Sequence, residues 1–352
     1  MVEKRIFSFF LICFYFMIAG CNSPAGNKPD KGYNGGDLST RTGNANSVYV
    51  SGNDVYVAGN EANELNVQVA KLWKNGIAQY NGGALTDGFT TGWATSVYVY
   101  GTDVYVVGGN PSNLVKLWKN GIIQYTLTNG IMGVSATSVY VSGDDVYVAG
   151  WEHNGLIVIA KLWKNGVVPF TLTDGTRNSE ANSVYVSGDD IYVAGYEWND
   201  SNKAIAKVWK NGSVHYNLTD GSIPAYANSV YVSGDDIYVT GWEITSSIRV
   251  AKVWKNGEVQ YTLTNGLTHS QGNSVFVSGT DVYVAGVEYN ASNMPVAKVW
   301  KNGEVLYTLT DGTKIAEAAS VYVSGDDVYV AGWGENESNV CVAKLWKNGV
   351  AP

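Results

Sequence analysis

The sequence has little charge, little proline and few cysteines. Of its 352 residues, 15% are charged, 7 are proline and 3 are cysteine. Three cysteines are too few for a disulfide framework. A chain that is 45% hydrophobic and 12% aromatic has too much apolar surface to remain disordered. The formal net charge of −8 provides no basic field for phosphates, so we expect no nucleic acid partner.

The sequence also lacks the short motifs of common catalytic chemistry. It has no Gly-Lys-Ser/Thr phosphate loop, no His-Glu-x-x-His, no Cys-x-x-Cys and no Gly-x-Ser-x-Gly. Asp-rich calcium loops and sialidase-type Asp boxes (S-x-D-x-G-x-x-W) are absent as well. The histidines His153, His215 and His269 fall at different positions of the repeats described below. We therefore expect a protein that is not an enzyme and has no metal or cofactor.

The first 21 residues have the pattern of an export signal. A basic start and an apolar run at 6–18 precede small residues and Cys21. The run is shorter than the roughly 20 apolar residues of a membrane-spanning helix. The string Ile-Ala-Gly-Cys resembles the lipobox of bacterial lipoproteins. That resemblance implies removal of residues 1–20 and a membrane anchor on the Cys21 thiol; an ordinary signal peptide beside a cysteine is the alternative.

The residues after the signal favour an envelope location. Residues 21–36 have no apolar periodicity and are predicted to form a flexible tether. Asn22, and not aspartate, follows Cys21. The lipoprotein resemblance then implies the bacterial cell envelope, and the outer membrane or cell surface if the host is Gram-negative.

Seven copies of one unit fill the remainder of the chain. The string K-[LV]-W-K-N-G recurs at intervals of 45 or 46 residues, and S-V-[YF]-V-x-G-x-D-[VI]-Y-V lies between its copies. Repeats of this regularity indicate seven duplicated modules. The tryptophans of the recurring string are Trp73, Trp118, Trp163, Trp209, Trp254, Trp300 and Trp346.

Each module has the pattern of four antiparallel strands. Within 183–221, short β-branched and aromatic runs are separated by Gly-Asp-Asp and Asn-Gly, which favour tight hairpin turns. Seven such units predict an all-β, seven-bladed β-propeller over residues 37–352, with an open β-solenoid as the alternative. The seventh unit ends at 348–352 without a fourth strand, while 37–40 lies unmatched before the first unit. We therefore expect the N-terminal strand to close the last blade.

The repeat resembles known propeller sequences. The string V-Y-V-x-G-[WYV]-E, followed by a loop and [VI]-A-K-L-x-x-x-G, is similar to the bacterial β-propeller repeat called SBBP, and its strand order looks like WD40. The Gly-His and Trp-Asp dipeptides of WD40 proteins are absent. The resemblance implies the propeller fold and an envelope setting, and it implies no particular activity.

In such a ring, the sequence strings that are constant between repeats lie at one end and the variable strings lie at the other. The constant turns lie between the first and second strands and between the third and fourth, at what we call the turn end. The variable loops lie between the second and third strands and between blades, at the loop end. We expect the seven recurring tryptophans to pack between blades, and Lys207 and Lys210 to face Asp189 and Asp190.

The loop end is rich in aromatic and acidic residues, which suit a protein or glycan partner. We predict a non-catalytic binding or scaffold module that uses this end. An envelope glycan-binding or glycan-active propeller and a purely structural surface protein are the alternatives. The candidate contacts are Trp93, Trp151, Tyr196, Trp198, Trp242, Trp333, Glu152, Glu197, Glu243 and Glu288.

Overall fold

The computed structural model describes residues 35–80, 83–110, 114–128, 133–169 and 171–351. These residues form strands and turns only, arranged as a ring of seven antiparallel sheets. The predicted seven-bladed β-propeller is confirmed. Within these ranges no helix is long and apolar enough to cross a membrane. The predicted signal segment, Cys21 and nearly all of the predicted tether lie outside the described residues.

The first three blades follow the chain in order, each with its first strand nearest the axis. Blade 1 contains β2 (Gly43–Ser51), β3 (Asp54–Ala62), β4 (Gln68–Lys74) and β5 (Ile77–Ala78). Blade 2 contains β6 (Trp93–Tyr100), β7 (Asp103–Gly109), β8 (Lys116–Lys119) and β9 (Ile122–Thr126). Blade 3 contains β10 (Val134–Ser142), β11 (Asp145–His153) and β12 (Val158–Lys164).

The next three blades each have four full strands. Blade 4 contains β13 (Ser179–Ser187), β14 (Asp190–Trp198), β15 (Ala204–Lys210) and β16 (Ser213–Asn217). Blade 5 contains β17 (Ala225–Ser233), β18 (Asp236–Thr245), β19 (Ile248–Lys255) and β20 (Glu258–Thr262). Blade 6 contains β21 (Ser270–Ser278), β22 (Asp281–Tyr289), β23 (Pro295–Lys301) and β24 (Glu304–Thr308).

Both termini contribute to blade 7, as the repeat arithmetic predicted. This blade contains β25 (Ala316–Ser324), β26 (Asp327–Glu335), β27 (Cys341–Lys347) and, on its outer edge, β1 (Gly36–Asp37). The N-terminal strand pairs antiparallel with β27, and the Leu38 amide donates to the Ala343 carbonyl at 2.7 Å. The C-terminal tail adds a bridge between Lys347 and Val350. The fourth strand is therefore a composite of the two chain ends.

Blade 3 departs from the four-strand pattern among the described residues. Its fourth strand is reduced to one bridge between Lys164 and Val167. Two residues later stands Pro169, which has no backbone N–H and a fixed φ. Proline therefore interrupts the ladder at the place where β16 continues in blade 4.

A belt of hydroxyl bonds joins the seven inner strands. In each blade the serine of S-V-[YF]-V accepts the amide hydrogen of the valine of this string in the next blade, always at 3.2 Å. The last of these bonds runs from the Val48 amide to Ser320, across the junction of blades 7 and 1. Because this bond has the same length as the other six, the ring closes without a change of geometry.

The core lies between blades, in seven similar apolar clusters. The clusters combine valines and alanines of one blade with the recurring tryptophan of the next. All seven recurring tryptophans are buried, with exposed fractions of 3% or less, which confirms their predicted packing between blades. The second-strand glycine is needed for a different reason. A Cβ on Gly195 would lie 1.9 Å from the Glu180 carbonyl oxygen, where a β-bulge brings the inner strand close.

Candidate functional site

The turn end repeats one hydrogen-bonded cluster in all seven blades. In blade 4, Asn211 at φ +50 accepts the Ile191 amide hydrogen and donates to Asp190, and Lys210 pairs with Asp190 at 2.7 Å. The Lys210 ammonium also lies 5.2 Å from the centre of the Tyr192 ring. The hydrogen bonds from Lys210 and Asn211 lower the pKa of Asp190. Every residue of the cluster already has a partner, which accounts for its lack of variation.

A ring of aromatic side chains crosses the axial channel. Each inner strand contributes one, and neighbouring ring centroids are 4.6–4.9 Å apart all the way around. Burial raises the pKa of Tyr98, Tyr140 and Tyr185. The ring therefore surrounds the axis between the two ends of the channel. Its members are Tyr49, Tyr98, Tyr140, Tyr185, Tyr231, Phe276 and Tyr322.

The predicted glutamates form ion pairs within their own blades. Glu197 pairs with Lys207 at 2.6 Å, and Glu243 pairs with Lys252 at 2.9 Å. The expectation that Lys207 faces Asp189 or Asp190 is wrong. On a strand of period two, Lys207 and Lys210 project to opposite sides of the sheet, so only Lys210 reaches the turn aspartate.

The same pairing holds for the other candidate glutamates and reduces the negative charge expected at the loop end. Lys161 pairs with Glu152 at 3.2 Å, and Lys298 pairs with Glu288. The Glu152 side chain is the most exposed of the four, at 39%. These carboxylates are therefore partly neutralised before any ligand arrives.

The predicted aromatic residues divide into one connected group and several separate side chains. Trp93 begins the inner strand of blade 2, Trp151 lies on β11, Trp198 ends β14 and Trp333 lies on β26. All four are partly exposed. Tyr196 is buried at 4% exposure and contacts the Tyr226 ring edge-on at 4.7 Å.

Trp242 lies at the centre of the connected group, which spans four blades at the loop end of the channel. The Tyr226 ring stacks on Trp242 at 4.2 Å, and the Arg249 guanidinium lies 5.5 Å from the Trp242 ring centre. Arg249 donates to Gln271 at 3.1 Å, and Gln271 donates to Glu317 at 3.3 Å. We call the complete set the mouth cluster: Glu180, Tyr196, Tyr226, Trp242, Arg249, Gln271 and Glu317.

Two carboxyl groups lie at the two extremes of the mouth cluster. Burial raises the pKa of Glu180, opposed by a hydrogen bond from Tyr196. Burial also raises the pKa of Glu317, which accepts a hydrogen bond from Asn273 at 2.8 Å. The two groups belong to blades 4 and 7 and start their inner strands near the solvent. A carboxyl group that holds its proton is able to donate a hydrogen bond as well as to accept one.

Sequence reasoning missed the most exposed apolar residues at the loop end. Leu156 is 86% exposed, Phe89 is 78% exposed and Leu267 is 75% exposed. Phe89 and Leu267 are single apolar residues in polar turns, a signal that the sequence does contain, whereas Leu156 begins an apolar run. It also missed a structural asparagine of the loops: Asn199 accepts the amide hydrogens of Ser201 and Lys203. Asn63, Asn290 and Asn336 make the same kind of bonds.

No group of three metal-ligating side chains occurs among the described residues. A cleft of about 600 Å³ lies at the opposite, turn end of the molecule, between blades 7 and 1. This cleft is therefore remote from the candidate contacts that the sequence indicated.

Comparisons with known proteins support the fold. A scan against family models gives no match, and a search of curated proteins gives none. Among solved structures, the chain is similar to a puromycin-hydrolyzing peptidase of Mycobacterium tuberculosis, with 11% identity and a TM-score of 0.54. That alignment covers 91% of this chain and 53% of the peptidase.

Two further structures have similar coverage. The chain matches a subtype N11 neuraminidase-like protein of a flat-faced bat strain at 13% identity, covering 91% of both chains with a TM-score of 0.50. It matches the WD40 β-propeller domain of Doa1 at 15% identity, covering 88% of this chain and 95% of that one with a TM-score of 0.49. At these identities the likeness extends to the propeller fold alone.

Proposed function

We propose that this protein is a non-catalytic, envelope-anchored binding module that contacts its partner through the loop end. The observation that carries the proposal is the mouth cluster. Its members lie outside the strings that are constant in all seven repeats, yet contacts connect them across four blades. A duplicated scaffold that varies in one connected place has the organisation of a binding site on a rigid support.

The path of the chain supports the proposed anchoring. Gly36 pairs with Leu345 and Asp37 with Lys344, so β1 runs from the turn end toward the loop end. The chain therefore enters the ring at the turn end. An anchor at Cys21 would therefore join the ring at the turn end, an arrangement consistent with partners that bind at the loop end.

The binding proposal is tested with residues 21–352 carrying Cys21→Ser. A glycan array and capture from envelope extract are run with this protein and with Trp242→Ala, which removes the centre of the mouth cluster. The matched control is Trp151→Ala, because Trp151 occupies the same position of blade 3 outside the cluster. We expect a specific ligand that Trp242→Ala binds at least tenfold more weakly and Trp151→Ala binds normally. Equal binding by all three proteins contradicts the proposal.

The anchoring proposal has its own test. Cys21→Ser in the full chain removes the thiol that the lipobox resemblance assigns to the lipid. We expect the variant to leave the membrane fraction for the soluble fraction after expression in a bacterial host. Metabolic labelling with a fatty acid shows whether the lipid is attached at Cys21. Incorporation of the label into the Cys21→Ser variant contradicts attachment at this residue.

A glycan-binding or glycan-active propeller is the second candidate, favoured by the carboxyl groups of Glu180 and Glu317, which both begin inner strands at the loop end of the channel. A glycosidase needs one protonated carboxylic acid and a second carboxylate. Release of reducing sugar from envelope glycans, lost in both Glu180→Gln and Glu317→Gln, supports this candidate. If hydrolysis and specific binding are both absent, the third alternative, a purely structural surface protein, is favoured.

A further inference from the structure

The cleft between blades 7 and 1 has a lining that recurs at the other blade junctions. Tyr329, Lys347 and Asp327 of blade 7 form one wall, and Val55 and Asn75 of blade 1 form the other. These are members of the turn-end cluster that every blade contains. The cleft volume of about 600 Å³ falls within the range of about 300–1,000 Å³ typical of ligand pockets.

At other junctions a tyrosine occupies this place. Between blades 1 and 2, Tyr80 of the outer edge packs on Gly121 of the next blade, and a Cβ added to Gly121 would lie 2.5 Å from the ring. Tyr80 lies close enough to Tyr56 and Lys74 for their charges to influence its pKa, which burial raises. The same pairing of tyrosine and glycine joins Tyr125 to Gly166, Tyr216 to Gly257, Tyr261 to Gly303 and Tyr307 to Gly349.

Blade 7 has no tyrosine at this position because its outer strand is a composite. In blade 4, Tyr216 pairs with Val208 of the third strand. In blade 7 the residue that pairs with the equivalent Leu345 is Gly36. A glycine therefore stands in the tyrosine register, and this strand position supplies no ring to the junction between blades 7 and 1.

We propose that the cleft between blades 7 and 1 is a binding site for a phenol ring, either a tyrosine side chain of a partner or a small para-substituted phenol. The five internal tyrosines show which group this lining accepts. Asn75 lines the cleft and directly precedes the turn glycine Gly76, which has φ +77. The proposal concerns the turn end and is independent of binding at the mouth cluster.

The experiment uses residues 21–352 carrying Cys21→Ser and the probe p-cresol, which is the side chain of tyrosine. Titration is followed by the backbone amide resonances of Gly52 and Gly325, two glycines that line the cleft. Asn53→Trp places a large side chain in the cleft. Thr102→Trp is the matched control, because Thr102 is at the same turn position of blade 2, where Tyr80 already fills the junction.

We expect saturable shifts at Gly52 and Gly325, an apparent Kd at least tenfold weaker in Asn53→Trp, and no change in Thr102→Trp. Tyr216→Ala serves as a positive control, since it opens an equivalent cleft where p-cresol should shift the Gly257 amide. Binding in Tyr216→Ala without binding between blades 7 and 1 overturns the proposal.

Two further arms identify the source of the ring. N-acetyltyrosine amide that binds at least as tightly as p-cresol indicates a tyrosine of a partner protein, and binding of p-cresol alone indicates a small phenol. The variant Tyr33→Ala tests the chain itself. If the shifts appear only in Tyr33→Ala, the chain fills the cleft with its own tyrosine, and the proposal of an external ligand is overturned.

Discussion

The turn end and the loop end of this propeller are built from the same strands but tolerate change differently. At the turn end, Asp190, Lys210, Asn211 and Tyr192 contact one another, and the same contacts recur in every blade. At the loop end, the residue paired with the inner strand is Trp151 in blade 3, Tyr196 in blade 4 and Val287 in blade 6.

The difference shows what keeps a residue the same in every repeat of a duplicated protein. A residue at the turn end has partners within its own blade, so a change in one copy breaks several bonds at once. The mouth cluster adds bonds between neighbouring blades, from Arg249 to Gln271 and from Gln271 to Glu317, so the identities of these residues depend on their places in the ring. Sevenfold repetition thus marks the shared scaffold, and departure from it marks the candidate site that is particular to this protein.

Removing the closing segment gives the largest expected effect, because both ends of the ring depend on closure. Deleting residues 35–40 removes β1 and Leu38, which is buried at 1% exposure in the cluster that joins blades 7 and 1. We expect a loss beyond the about 2–5 kcal/mol of a buried leucine truncation, measured by thermal and denaturant unfolding. The reference protein begins at residue 35, so that the two proteins differ only in residues 35–40. Equal unfolding of the two proteins contradicts closure by this segment.

A pair of tryptophan variants separates the shared core from the mouth cluster. Trp209 is fully buried between blades 3 and 4, and Trp209→Ala should cost about 3–5 kcal/mol of stability. Trp242 is partly exposed, so Trp242→Ala should cost less than half as much. Unfolding in denaturant measures both. A Trp242→Ala loss equal to that of Trp209→Ala would show that the mouth cluster is core and not a site.

Glu317→Gln should change how stability depends on pH. Burial raises the pKa of Glu317 in the folded protein above its ordinary value of 4.5. At a pH between 4.5 and the raised pKa, the carboxyl group keeps its proton in the folded protein and has lost it in the unfolded chain. Raising the pH through this interval therefore lowers the free energy of unfolding. The variant should therefore be more stable than the parent at pH 7, on the order of 1 kcal/mol, and no more stable at pH 4. Melting temperatures from pH 4 to 8 measure this, and parallel curves contradict it.

Asp327→Asn at the turn end should give the smallest effect, with the opposite sign. Hydrogen bonds from Lys347 and Asn348 lower the pKa of Asp327 below 3.8. Its contribution is present above pH 3.8 and is lost as the pH falls through the lowered value. We expect a loss of about 0.5 kcal/mol or less at pH 7, because the pair is partly exposed. The loss should vanish at pH 2. A difference in stability between Asp327→Asn and the parent that persists at pH 2 would indicate an effect of packing and not of charge.

The sequence predicted the fold nearly completely, and its candidate contacts include two members of the mouth cluster, Tyr196 and Trp242. Asn-Gly turns, alternating strands and seven equal intervals determine the blade, and the unmatched segment near Leu38 indicated closure. The strand register was sufficient to pair Lys207 with Glu197, but we expected Lys207 to face a turn aspartate instead. The bond between Arg249 and Gln271 was not available, because it joins side chains on different blades whose distance is set by the closed ring.

The ring of aromatic side chains across the channel has a consequence for how the molecule handles solutes. Its seven members surround the axis with one aromatic surface that carries no formal charge. A solute that reaches this level from either end therefore meets ring edges and faces, which disfavour ions and favour apolar or cationic groups that pack against aromatic rings.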